Sequence, residues 1–458
     1  MMVVAFLLLL LLGIPYAFAL GLASVVLALS GEYPTSMIVH RTVMGVDNFL
    51  LVAIPMFILA GNVMERGDIS RRLVTLAGAL MSRFRAGLPN SIVVAEMLFS
   101  GISGSTVADI AAMSSMVVPA MEKAGFRRSY SLAIASAATA FGILIPPCIL
   151  MIVTAALLNA SVIAVFAASV LPTFVFAFLV MALVYWQAPR LGNDRAASSA
   201  TDLWKAVKDA AWAAGLPLII IVGIRFGAAT ATEIAAAAVV YAFAVTLFVY
   251  RTLRWGEIPE LLVETAATTG AICLTFGFAT IITYVLARAD VPQKISDLAT
   301  SVFTSPATLM LAFAMVFVVL GALLEGLPAA LILVPILWPA ADSLGVSSIH
   351  FQIVVIAAIG IGLFLPPIGL GLMIASQVGQ ERVERIMREQ MRGLAPQALE
   401  RAEPEVAEAE RPRQRERPGA GTDDREIGRD AGAERRVEGA VVVARIDGQH
   451  RRRPAVFA

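Results

Sequence analysis

Charge is what most of this chain lacks. No Lys or Arg precedes Arg41, and about half of all Lys, Arg, Asp and Glu fall in roughly the last sixth of the sequence. The net charge of +1 therefore hides a charge-poor body and a charge-rich end. Histidine is nearly missing too: His40, His350 and His450 are scattered, with no His-Glu-x-x-His pair. The apolar part also has no acid-rich cluster that could hold a catalytic metal, so a membrane-embedded enzyme is disfavoured. The two cysteines, Cys148 and Cys273, lie inside apolar runs and read as small buried apolar residues, which argues against a disulfide or a metal centre. No cofactor and no nucleic-acid partner are expected.

What is present is apolar sequence. Hydrophobic residues make up 59% of the chain and the mean hydropathy is +0.81. Run after run approaches the roughly 20 apolar residues that a spanning helix needs. The expected class is an all-α polytopic membrane protein in the lipid bilayer. Val3 to Leu29 reads as a retained first helix, because the basic n-region of a signal peptide is missing. Later runs include Phe49 to Met64, Ser131 to Ile145, Cys148 to Leu158, Trp212 to Val222, Thr265 to Leu286 and Ile368 to Val378. Several are too short to cross alone, as half-helices and re-entrant hairpins are. Basic residues cluster in three connections, around Arg66 to Arg85, Arg190 to Lys208 and Arg251 to Arg254, all expected on the cytoplasmic side. The permease domain is expected over residues 1–380, and a charged, disordered tail over 381–458.

One passage occurs twice. Gly101, Pro119, Ala120, Gly125, Gly142, Pro146 and Pro147 recur about 220 positions later as Gly321, Pro339, Ala340, Gly345, Gly362, Pro366 and Pro367. The first repeat covers about 50–160 and the second about 265–380; an inverted relation is the expectation. Each Pro-Pro pair follows an apolar run and must end or kink a helix at hydrocarbon depth. Unwound backbone survives there only inside protein or beside a cavity, and paired interruptions point to a secondary transporter's binding site.

The chemistry is expected at two places. Ser100 to Thr106 packs four hydroxyls and two glycines into seven residues, with Asp109 following. Ser103, Gly104, Ser105 and Thr106 would offer oxygens to a hard cation and half-helix N–H groups to a carboxylate. The matching segment, Gly321 to Pro328, lacks hydroxyls but carries Glu325, a rare acid between apolar runs that should face a cavity or a partner. Glu96 and Asp109 can equally be helix caps or packing partners of basic residues.

At this level of detail the chain resembles a family, the large membrane subunit of tripartite ATP-independent periplasmic (TRAP) transporters, the DctM type. The resemblance rests on the Ser-Gly-Ser turn, Val117 to Met121, Gly142 to Pro147, Ile54 to Gly61, Met64 to Gly67, Ala231 to Ala237, Val334 to Leu337 and Gly362 to Pro367. It runs to about position 390. It implies an inner-membrane permease with an elevator-type ion-transporter fold, importing small organic anions such as C4-dicarboxylates by Na⁺ symport. It also implies two partners, a small membrane subunit (DctQ type) and a periplasmic substrate-binding protein (DctP type). Carried onto this chain, Ser103, Gly104, Ser105, Thr106 and Pro146-Pro147 would form one half of the site. Gly321, Glu325, Gly326 and Pro366-Pro367 would form the other. Two departures are visible: no apolar run follows Ile368 to Val378, and Ala231 stands where the family often has proline. A carrier of related fold working without a binding protein is the rival reading.

Overall fold

Lipid offers no hydrogen bonds, so each apolar segment must pair its own backbone groups, which a helix does. The computed structural model describes residues 6–394, apart from 7, 10, 11, 32, 85, 104, 105, 188–199, 227 and 228. Among the described residues the regular structure is all helical. The helices are α1 (Tyr16–Ser30), α2 (Thr35–Val46), α3 (Ala53–Arg66), α4 (Ile69–Met81), α5 (Gly87–Ser103), α6 (Thr106–Met116), α7 (Val118–Lys123), α8 (Arg128–Gly142) and α9 (Ile149–Leu157). There follow α10 (Val162–Gln187), α11 (Ala200–Phe226), α12 (Ala231–Ala244), α13 (Ile258–Arg288), α14 (Val291–Val302), α15 (Pro306–Leu323), α16 (Gly326–Ser343), α17 (Ser348–Leu363), α18 (Leu370–Gly379) and α19 (Val383–Leu394). Seven helical segments among the described residues are long and apolar enough to cross a membrane.

Three expectations are corrected. The single first helix over Val3 to Leu29 does not form: Gly13 has a φ of 80° and Pro15 is the N-cap of α1, so the chain turns before Tyr16. The run at Trp212 belongs to a longer helix, α11, whose first turns are polar and therefore invisible to hydropathy. The tail expected from position 381 begins with α19, an ordered helix. Its Ile386 joins Val118, Leu132, Ala133 and Leu372 in a small core, and its buried Glu389 pairs with Arg127 at 3.7 Å. Residues 395–458, on which the rest of the expected disorder falls, lie outside the described residues.

The order of elements is echoed along the chain. A long helix ends at an aspartate in the left-handed region (Asp68, φ 58°; Asp290, φ 55°) and an amphipathic helix follows (α4, α14). Then come two helices separated by two residues (α5 and α6; α15 and α16), a helix ending near a Pro-Pro pair (α8, α17) and a half-helix (α9, α18). Side chains spaced three or four apart explain the amphipathic members, as Ile69, Leu73 and Ala77 line the buried face of α4.

Described residues in or next to the three basic connections come together. Arg66 pairs with Glu260 at 3.1 Å and Glu264 at 3.0 Å, Arg72 pairs with Asp209 and stacks over Tyr250, and the Thr252 hydroxyl donates to the Gly67 carbonyl at 2.8 Å. From there α13 runs 31 residues, about 46 Å at the helical rise. It packs along α1, α2 and α3 on its way.

Candidate functional site

Both helix breaks are two residues long. In the first, Ser103 ends α5 and Thr106 opens α6, while Gly104 and Ser105 lie outside the described residues. In the second, Leu324 and Glu325 separate α15 from α16. Both are extended, and Glu325 is the N-cap of α16 without a capping hydrogen bond. Glu325 is half-buried and lies within electrostatic reach of the Tyr16 hydroxyl on α1.

Glycines let these breaks pack closely. A Cβ on Gly101 would stand 2.6 Å from the Pro146 carbonyl oxygen, and one on Gly321 would stand 2.8 Å from that of Ile359. In each half, the helix before the break thus presses against the helix that leads to the Pro-Pro pair. Pro146-Pro147 and Pro366-Pro367 each interrupt the chain between a long helix and a half-helix, and both bonds are cis. Just beyond α8, the Leu144 carbonyl lies 3.0 Å from the Thr173 hydroxyl of α10, whose one proton it shares with the Ser169 carbonyl at 2.8 Å.

The halves then exchange contacts. Half-helix α9 packs on α16, and half-helix α18 packs on α6. Gly326, at the second break, faces Ile359 and Leu150, so the N-termini of α9 and α16 approach each other. Helices α8 and α17 cross where Gly360 meets the Ala140 carbonyl, and Ala140 and Gly360 are themselves repeat-related positions. The structure thus brings the first Pro-Pro kink beside the second break, and the second half-helix beside the first. It does not put Glu325 against Asp109, which sits in the first turn of α6 and accepts a hydrogen bond from the Ser100 hydroxyl at 2.6 Å. A helix N-terminus favours a carboxylate there.

Sequence reasoning counted Ser100 among the four hydroxyls of the first segment, read Glu96 as a cap or packing partner, and left Thr139 unremarked. Glu96 and Ser100 are four apart on α5 and share a face, and both are buried. Gly142 makes room for them: its Cβ would lie 2.5 Å from Glu96 Oε1 and 2.8 Å from Ser100 Oγ. A separate cavity of about 460 Å³ opens between α8, α10, α17 and α19 and borders Pro366. Its walls, such as Phe141, Leu144, Phe176 and Phe364, are mostly apolar, and its polar side chains are Tyr130, Gln187, Glu389 and Gln390, with no Lys or Arg among them.

The family model of the "Tripartite ATP-independent periplasmic transporter, DctM component" matches residues 3–396. The chain belongs to the DctM family. Among its relatives, the C4-dicarboxylate TRAP transporter large permease protein DctM of Pseudomonas aeruginosa is 36% identical, over 72% of this chain and 78% of its own length. The sialic acid TRAP transporter large permease protein SiaM of Vibrio cholerae is 30% identical, over 80% of this chain and 86% of its own. The isethionate TRAP transporter permease protein DctMQ of Oleidesulfovibrio alaskensis is 32% identical over 84% of this chain, and this chain spans 61% of that longer protein. A crystal structure of the YdaH transporter of Alcanivorax borkumensis shares the fold, with a TM-score of 0.55 over 78% of this chain and 84% of that one, at 16% identity. The DctM family is one of transporters, and this member is a multi-pass membrane protein.

Proposed function

We propose that this chain is the large permease subunit of an inner-membrane importer for small organic anions. In this reading it is driven by Na⁺, works with a small membrane subunit, and receives substrate from a periplasmic binding protein. The observation that carries it is the exchange of contacts around two helix breaks, which sets the N-termini of α9 and α16 side by side. Unpaired N–H groups at such ends suit a carboxylate or sulfonate, and unwound carbonyls beside them suit Na⁺. The relatives named for C4-dicarboxylate, sialic acid and isethionate are all named for acids, which supports an anionic substrate. Ser103, Gly104, Ser105, Thr106, Asp109 and Pro146-Pro147 form the first half of this site, and Gly321, Glu325, Gly326 and Pro366-Pro367 the second. In this reading the two halves are inverted repeats that work as an elevator.

Uptake into proteoliposomes tests the proposal, using this chain, its small subunit, a panel of organic anions and an imposed Na⁺ gradient. Accumulation is expected only with both Na⁺ and the binding protein. Accumulation with neither sinks the tripartite reading in favour of a stand-alone carrier. Within a working system, Glu325→Gln is expected to slow uptake about tenfold or more, equivalent to about 1.4 kcal/mol.

A further inference from the structure

The apolar cavity beside Pro366 has a place in the repeat. In the first half, α10 follows half-helix α9 and packs along α8. In the second half no apolar run long enough to cross follows half-helix α18, and the chain continues instead into the Arg-rich α19. Helix α17 thus lacks the companion that α8 has in α10, and a space of about 460 Å³ lies between α8, α10, α17 and α19. A helix about 10 Å across would use up that volume in roughly one turn, so the space fits something slimmer.

Its height is that of one leaflet. The wall on α8 runs from Tyr130 to Phe141, and the wall on α10 from Phe176 to Gln187. Each stretch covers about 16 Å of helical rise, close to half of the roughly 30 Å hydrocarbon thickness. The two helices run antiparallel, and the contact of Leu144 with Thr173 marks the deep end. Polar groups gather at the other end, where Tyr130, Gln187, Glu389 and Gln390 meet. Gln187 ends α10 just before a basic connection expected in the cytoplasm, which puts this mouth in the cytoplasmic leaflet.

Charge at the mouth has a prevailing sign. Arg127 stands 3.7 Å from the buried Glu389, so a base answers the cavity's acid. Around α19, Arg127, Arg382, Arg385 and Arg388 are exposed against Glu384, while Glu381 is half-buried. Arg388 is one turn from Met391, a wall residue, and shares its face of the helix. Gln390 Oε1 is buried without a hydrogen-bond partner, so the mouth also lacks a donor. We propose that this cavity holds an acyl chain of an anionic phospholipid from the cytoplasmic leaflet, with its phosphate at Arg127 and Arg388 and a headgroup hydroxyl donating to Gln390. The apolar wall takes the chain, and the arginines favour a negative headgroup. The tail ends against Phe364 and Pro366, at the second kink. The site is separate from both helix breaks, and its occupancy stands or falls apart from transport.

Native mass spectrometry of the purified full-length chain tests this, with phosphatidylglycerol and phosphatidylcholine of equal tails added in detergent. One phosphatidylglycerol should stay bound after phosphatidylcholine has dissociated. Val180→Trp, which fills the cavity from α10, should lose that lipid. Ala137→Leu fills it from α8 and serves if the tryptophan variant does not fold. Arg388→Gln should weaken phosphatidylglycerol binding about fivefold, the worth of one basic residue near an anionic surface, and leave phosphatidylcholine unchanged. The proposal is overturned if the folded, cavity-filled variants retain the lipid or if the two headgroups bind equally. Competition by tail-free glycerol phosphate as strong as by the intact lipid overturns it as well. Loss of the lipid on adding the small membrane subunit would give the space to a partner helix and also overturn it.

Discussion

Single residues here act mostly through the space they leave. Gly321 is the clearest: a Cβ would press on the Ile359 backbone, which cannot swing aside as a side chain can. Gly321→Ala is therefore expected to lower the unfolding midpoint in detergent, by an overpacking cost of about 1–3 kcal/mol. An unchanged midpoint would show that α15 and α17 are not so tightly pressed. The recurrence of Gly101, Gly142, Gly321 and Gly362 was legible in the sequence, but what each one meets was not. Gly142 faces Glu96 and Ser100, whereas its counterpart Gly362 faces the backbone of α15. Equal letters conceal unequal neighbours because a glycine carries no chemistry of its own. The burial of Glu96 escaped for a related reason: an acid in an apolar run reads as a cap or an ion-pair partner until its surroundings are known.

At the scale of elements, proline and glycine told more than hydropathy. The breaks after Ser103 and Leu323, and the kinks at Pro146-Pro147 and Pro366-Pro367, fall where those residues place them. Helices with one polar face, α2, α4, α14 and α19, were missed or left unassigned because their average hydropathy resembles that of a loop. Helix α19 shows the cost of that omission, since it closes a core with Ile386 fully buried. Ile386→Ala should cost about 2–5 kcal/mol, read as an earlier unfolding transition. No shift would mean that α19 does not rest on α8. Thr173→Val removes the hydroxyl shared by the Leu144 and Ser169 carbonyls beside the first kink, with an expected loss of about 0.6–1.7 kcal/mol, since intramembrane hydrogen bonds are modest. If the midpoint holds, those carbonyls have found other donors. By contrast, Arg66→Ala breaks two exposed ion pairs and should cost less than about 1 kcal/mol, less still at high salt.

For the whole molecule, the sequence disclosed its class, its family resemblance and the recurrence of one passage. Arg66, Arg72 and Thr252 tie together the described ends of the connections that carry the charge clusters. It could not disclose how the two passages embrace, because no letter near Ala140 announces that Gly360 will lie against it. Gly360→Val should overpack that crossing by about 1–3 kcal/mol, while Ala140→Gly, which keeps the carbonyl at the crossing, should cost only the roughly 0.5–1 kcal/mol of a glycine inside a helix. Equal effects would contradict the crossing. The exchanged half-helices also bear on how the protein is made. Half-helix α9 is synthesised long before α16, its resting place, and Ala140 waits about 220 residues for Gly360. At about 5–20 residues per second that is roughly 11 to 44 s during which the first half sits in the bilayer with its kinked segment uncovered. Such a nascent chain needs a guardian, whether the insertion machinery or an early-bound companion subunit, and a gene cut between the halves should yield protein only when both pieces are made in the same cell.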